Sequence, residues 1–177
     1  FDVSAIDQLP PGRQPIHTQW IRSAAAGQAY QFTRDEVAEG RHAYIVLPQI
    51  DDTGEDNSKS VLQEFDRLSK GPLSSLRLCA LHGQMATDEK QSIMTRFRDG
   101  QIDVLLATTV IEVGIDVPNA SVMLIDSAEQ FGLSQLHQLR GRVGRGKHLS
   151  HCILISDAES DEARQRLTAM TQTNSGF

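Results

Sequence analysis

Ala43-Tyr44-Ile45-Val46-Leu47 is apolar at every position, so both faces of an extended chain there need cover. Strands covered on each side belong to parallel sheets with helices above and below, whereas half-wet antiparallel strands alternate polar and apolar residues. Further candidate strands stand at residues 76–81, 102–107, 122–125 and 152–155. Helical stripes separate them: Val61, Leu62, Phe65 and Leu68; then Ile93, Met94 and Phe97; and last Ala163, Leu167 and Met170. Five strands alternating with helices over short connections predict an α/β fold, a parallel sheet with helices on both faces and right-handed crossovers. Ligands of such sheets bind beyond the carboxyl ends of the strands. His82-Gly83, Thr108-Thr109 and the segment after Ile125 all follow such ends and are expected to share one rim.

Local signals punctuate this pattern. Thr33-Arg34-Asp35-Glu36 reads as a capping box opening a short helix, with Phe32 stapled to Val37 and Gly40 ending it. Thr87 reads as the cap of the next legible helix, with Asp88 and Glu89 at its positive dipole end and Gly100 as its stop. The acidic loop at residues 51–56 reads as solvated. Residues 1–15, with Pro10-Pro11-Gly12 and Pro15, read as a connector entering a domain at 16–172, and residues 173–177 as the start of a further region. The first residue is not Met, so a piece of a longer chain is expected.

At 177 residues the chain is long enough for one domain with a sizeable core. No apolar run approaches the roughly 18 residues of a membrane span, and the start does not resemble a signal peptide. Cys79 and Cys152 lie in apolar runs without neighbouring Cys or His at metal spacing, which predicts reduced thiols, a cytoplasmic setting and no metal site. A net charge of −6 argues against a coat for nucleic acid, yet Asp and Glu are absent from residues 130–156 while Arg140, Arg142, Arg145 and Lys147 fall there. The positive potential is local.

Gln138-Leu139-Arg140-Gly141-Arg142-Val143-Gly144-Arg145 is the sharpest motif. Arginine presents a permanently charged planar fork suited to phosphate, and glycine inside a helical pattern costs about 1 kcal/mol relative to Ala. Gly141 and Gly144 are expected to end the helix and aim Arg145 outward, making a phosphate sensor; a basic patch for nucleic acid is the alternative. The run from Ala107-Thr108-Thr109 through Gly114-Ile115-Asp116-Val117-Pro118 is the second signal. Two hydroxyls can meet a phosphate, Gly114 allows close approach and Asp116 can accept from sugar hydroxyls, although a plain turn explains the same residues. His82-Gly83 and Lys90 carry less, since a turn and a solvated charge account for them.

In order and spacing these residues resemble the second RecA-like motor domain of superfamily 2 helicases, and residues 107–119 and 131–146 resemble the RecG family of bacterial ATP-dependent helicases of branched DNA. The resemblance runs from Leu9-Pro10-Pro11-Gly12-Arg13 through Tyr44-Ile45-Val46-Leu47-Pro48 to Ser175-Gly176-Phe177. A transcription-repair coupling translocase shares much of the arginine segment, while Val110-Ile111-Glu112-Val113-Gly114 and Asn119-Ala120-Ser121 lean toward RecG.

What the resemblance implies is a RecA-like sheet of the P-loop NTPase type without its own phosphate loop. Arg142 and Arg145 would be catalytic arginine fingers reaching the γ-phosphate of ATP held by a first motor domain, with Gln138 sensing that phosphate. Gly114 and Asp116 would face the nucleotide. Gly83, Lys90 and Thr108 would touch the DNA backbone, although many relatives carry Arg where Lys90 stands and Gln where Thr87 stands. Mg²⁺ would belong to the first domain, because no Gly-x-x-x-x-Gly-Lys-Ser/Thr run and no paired carboxylates at a strand end occur here. The expected partners are that first domain and branched or double-stranded DNA, with no membrane, in a monomeric bacterial cytoplasmic protein acting in DNA repair and recombination. Alone, the chain is expected to be inactive. A non-catalytic nucleic-acid or protein binding module is the reading from another class.

Overall fold

The computed structural model describes residues 15–48, 58–83, 85–108, 117–146 and 148–173. In chain order these form β1 (Ile16–Ile21), α1 (Ala26–Ala38), β2 (His42–Val46), α2 (Ser58–Ser69), β3 (Leu78–Leu81) and α3 (Thr87–Arg98). There follow β4 (Val104–Ala107), β5 (Ala120–Asp126), α4 (Leu133–Arg140), β6 (Ser150–Ile155) and α5 (Asp161–Thr171). The strands make one sheet in the order β1-β6-β5-β2-β4-β3, and every pairing is parallel.

The period of two along β2 explains the layers. Tyr44 and Val46 point to one face, joining Leu105, Met123, Ile125, Cys152 and Leu154 under Phe97 of α3, Leu136 of α4 and Leu167 of α5. Ala43 and Ile45 point to the other, with Leu106, Leu124 and Ile153 under Tyr30 of α1 and Val61 and Leu68 of α2. All five residues of β2 are buried, as an internal strand between two helical layers requires.

Four expectations need correction. Among the described residues the sheet has six strands, because Ile16-His17-Thr18-Gln19-Trp20-Ile21 forms an edge strand beside β6. It buries Ile16 and Thr18 but exposes His17 and Gln19, and that alternation does not read as a core run. The capping box at Thr33 is not made: Thr33 lies fully buried inside α1, where its hydroxyl donates to the Ala29 carbonyl at 2.8 Å. The helix already begins at Ala26, after a single 3₁₀ turn at Ser23–Ala25. Glu36 accepts from Arg41 Nη1 and the Ser121 hydroxyl, each at 3.1 Å, and Phe32 sits edge-on to the His151 ring. Thr87 is the first helical residue of α3 and its side chain makes no cap, although Asp88 and Glu89 do occupy the first turn. Leu62, expected to face the core, is half exposed, while Val61 and Leu68 are buried.

Gly40 and Gly100 follow α1 and α3 with φ of +90° and +86°, the left-handed conformation in which a side chain is strained. The acidic loop at residues 51–56 lies outside the described residues, as does the connector apart from Pro15.

Candidate functional site

Helix α4 buries Leu136, Leu139 and Arg140, and Val143 just beyond it is fully buried. Helical winding continues past Arg140 as a tightening turn: Gly141 N–H donates to the His137 carbonyl, Arg142 N–H to Leu139 and Val143 N–H to Arg140. Residues four apart on such a turn share a side, so Gln138 and Arg142 fall together, opposite the inward residues. Gln138 and Arg145 are exposed and Arg142 is half-buried. Gly144 adopts φ +82° and donates its N–H to the Ser150 hydroxyl at 2.9 Å, which turns the chain toward β6. Arg145 Nε donates to the Gly141 carbonyl at 3.0 Å.

Arg140 does not belong with the outward cations. It is 0% exposed, and its guanidinium donates to the Thr18 hydroxyl, the Met170 and Thr173 carbonyls, the Thr173 hydroxyl and His137 Nδ1. Burial holds its pKa below the ordinary arginine value, against the smaller opposing effect of Cys152. Spacing carried the signal: residues 136, 139, 140 and 143 form one apolar-face stripe, and Arg140 occupies a place in it. The expected positive patch is therefore smaller by one charge, and Lys147 lies outside the described residues.

The two motif runs meet. A Cβ added at Gly146 would lie 2.1 Å from the Pro118 carbonyl oxygen, so only glycine lets the arginine segment pass the end of the 107–118 run. Gly114 and Asp116, expected at the nucleotide, and Thr109 lie outside the described residues. Thr108 follows β4 and is half-buried; Gly83 follows β3, is exposed, and has nothing within 4 Å of an added Cβ. Lys90, half-buried in the first turns of α3, rises from that same carboxyl rim of the sheet.

The arginines do not share this rim, contrary to expectation. Ser150 opens β6, Pro118 precedes β5, and His148, whose Nδ1 pairs with Arg41 Nη2 at 3.1 Å, lies beside the residue before β2. All three contacts place Gly144, Gly146 and His148 at the amino rim. The cause is topological: α4 begins beyond the carboxyl end of β5 and runs back along the sheet, carrying its end to the opposite side. Four to six residues of strand, about 13–20 Å, separate the two groups. Thr108 and Val117 are the described ends of the run that connects them.

The carboxyl rim also holds a group with no counterpart in the motif reading. Asp126, Glu129, Asp157 and Glu159, with Ser23 and Ser127, line an open depression of about 390 Å³ beyond β5, β6 and β1. Burial, then the neighbouring Glu64, raises the Asp126 pKa. Among the described residues no cluster of His, Cys, Asp or Glu suits a metal ion, and no helix is long and apolar enough to cross a membrane. Both cysteines are free, and burial pushes the Cys152 thiol up to about 12.

This sheet, with a glycine-punctuated arginine turn ending its fourth helix, defines a class. The chain belongs to the family of helicase conserved C-terminal domains, which it matches over residues 28–147, and its fold is RecA-like. Along its whole length it is similar to proteins named ATP-dependent DNA helicase RecG. That of Synechocystis is 49% identical over 177 residues, covering 100% of this chain and 21% of the relative. That of Thermotoga maritima is 43% identical over 177 residues, covering 100% of this chain and 23% of the relative. A solved structure of RecG bound to a three-way DNA junction superposes with a TM-score of 0.81 at 42% identity, over 96% of this chain and 22% of that one. The chain thus spans between about a fifth and a quarter of the length of the curated relatives it matches.

Proposed function

We propose that this chain is the second motor domain of an ATP-dependent helicase that remodels branched DNA, at replication forks and Holliday junctions, in repair and recombination. The observation that carries the reading is the two-sided build of residues 136–145. Its inner side is fixed by Leu136, Leu139, Arg140 and Val143, and its outer side offers Gln138, Arg142 and Arg145. Phosphoryl transfer is catalysed by placing charge where charge develops, and a pre-anchored guanidinium does that with little rearrangement.

In this account Arg142 and Arg145 meet the γ-phosphate of ATP held by the first RecA-like domain, Gln138 orients the phosphate or its attacking water, and Gly114 and Asp116 face the nucleotide. Residues 130–156 contain no Asp or Glu, so this donor set suits the phosphate and not Mg²⁺, which the first domain would hold. Mg²⁺ held there would supply neutralisation of the charge that develops on the transferred phosphate. Gly83, Lys90 and Thr108 meet the DNA backbone at the other rim. Closing on ATP and reopening after hydrolysis shifts that rim against the first domain, which is translocation. The chain by itself turns over no ATP, and the whole protein works as a cytoplasmic monomer.

Fingers of this kind are worth about a thousandfold to a hundred-thousandfold in rate, or roughly 4–7 kcal/mol. In the full-length protein, Arg142→Ala and Arg145→Ala should each lower DNA-stimulated ATP hydrolysis by about a thousandfold or more, while a fluorescent ATP analogue binds nearly as before. Turnover near the parental rate in both variants refutes the reading.

A further inference from the structure

We infer that Arg140 is a positioning residue for ATP hydrolysis, a buried strut that fixes the arginine turn against the edge strand and the last helix. The inference rests on the reading of Arg142 and Arg145 as fingers.

The guanidinium spans three elements. Nη1 donates to the Thr18 hydroxyl on β1 at 3.1 Å and to the Met170 and Thr173 carbonyls at 2.9 and 3.0 Å. Nη2 donates to the Thr173 hydroxyl at 2.7 Å and to His137 Nδ1 at 3.1 Å. The last carbonyls of a helix lack intrahelical donors and carry the negative end of its dipole, so a cation there completes α5 while α5 holds the cation. His137 accepts at Nδ1, which requires the neutral ring; burial, then the Arg140 charge itself, lowers the His137 pKa and favours that form.

Arg140 is also the residue from which the turn departs. Its carbonyl accepts from Val143 N–H, and Arg142 stands two positions on. A fork fixed at both nitrogens allows one orientation of its own backbone, whereas a Leu there would leave the end of α4 free to rotate. A burial-only requirement for volume would be met by Leu or Met. The donors, each directed at a particular acceptor, are what the geometry adds.

The test uses the full-length protein and changes the acceptors, which disturb packing least. Thr18→Val combined with Thr173→Val keeps shape and removes two hydroxyl acceptors; the matching Ser variants restore them. Misplacement of a reacting group by about 1 Å costs on the order of a hundredfold in rate, so the Val pair should lower kcat for DNA-stimulated ATP hydrolysis about ten- to a hundredfold. KM for ATP and affinity for a three-way junction should stay within about threefold, and the Ser variants should regain the parental kcat, because only the turn's orientation is altered. Arg140→Lys should behave as the Val pair does. Should that variant fail to fold, the Val pair carries the test alone.

A Val pair with an unchanged melting profile and the parental kcat overturns the inference. So does a loss of activity matched by an equal loss of folded protein. Arg142→Ala and Arg145→Ala are measured alongside. If they are inactive while the Val pair is normal, only the strut fails; if they turn over normally, the finger reading fails and the strut with it.

Discussion

Arg140, Arg142 and Arg145 share one side-chain type and three different situations. A fixed charge count over the segment treats them alike, but period and position separate them: Arg140 falls on the stripe of Leu136, Leu139 and Val143, and its charge is spent on carbonyls and hydroxyls inside the domain. Its burial was legible from spacing; its partners were not, because Thr18 and Thr173 lie more than thirty residues away on either side. Gly146 shows a comparable limit, since no local rule names Pro118 as the neighbour that forbids a side chain. Gly146→Ala would press a methyl group against a backbone carbonyl at 2.1 Å, which only a shift of main chain relieves. Overpacking of this kind costs about 1–3 kcal/mol, and the melting temperature should fall by roughly 2–10 °C. Calorimetry on the parent and the variant checks this, and an unchanged melt would mean that the two runs are not in contact.

Among elements, the internal strands were plain in the sequence because both of their faces are buried, and their apolar runs admit few other readings. The edge strand was hidden for the opposite reason. β1 has one neighbour and alternates, and one of its two fully enclosed residues is Thr18, a polar acceptor for Arg140. A latch of long-range bonds joins its end to the chain just after β6: Trp20 Nε1 donates to the Ser156 carbonyl, Arg22 to the Ala158 carbonyl and Ser23 N–H to Asp157. In α1 the capping signal at Thr33 was locally sound and lost to packing, since Ala29, Tyr30 and Thr33 together face the core. Several elements converge on the amino rim with histidines. His42 opens β2, His151 is second in β6, and His137 lies near the end of α4, each with its pKa lowered first by burial. Unfolded histidines take protons near pH 6.5, and these folded ones only at lower pH. Their contribution to stability is present above about pH 6.5 and lost as pH falls from there through the folded values. At lower pH still, Asp103 acts in the same direction: burial, the largest single influence, raises its pKa, but the hydrogen bonds and charge of Arg77 together outweigh burial and hold it low, whereas Asp126, raised by burial, runs the other way. Denaturant midpoints should therefore decline between about pH 7 and pH 5.5; a midpoint that rises over this interval would contradict the account.

At the scale of the whole molecule, the parallel α/β architecture followed from alternating apolar runs and helices, but the placement of chemistry did not. Strand ends alone predicted one shared rim. The structure divides the candidates, with Gly83, Lys90 and Thr108 near one rim and the arginine turn at the other, because a crossover helix returns its own end to the start of the next strand. The division gives the proposed motor a simple logic, in which one lobe meets nucleotide and DNA at separate places joined by a short run of chain. It also forecasts that the two roles separate by mutation. The decisive measurement takes full-length protein bearing Arg145→Ala and follows single-turnover ATP hydrolysis at saturating ATP and junction DNA, with junction affinity read in the same samples. The account predicts hydrolysis slowed by about a thousandfold or more with DNA affinity essentially that of the parent. Hydrolysis at the parental rate, or a loss explained entirely by weaker DNA binding, would contradict it.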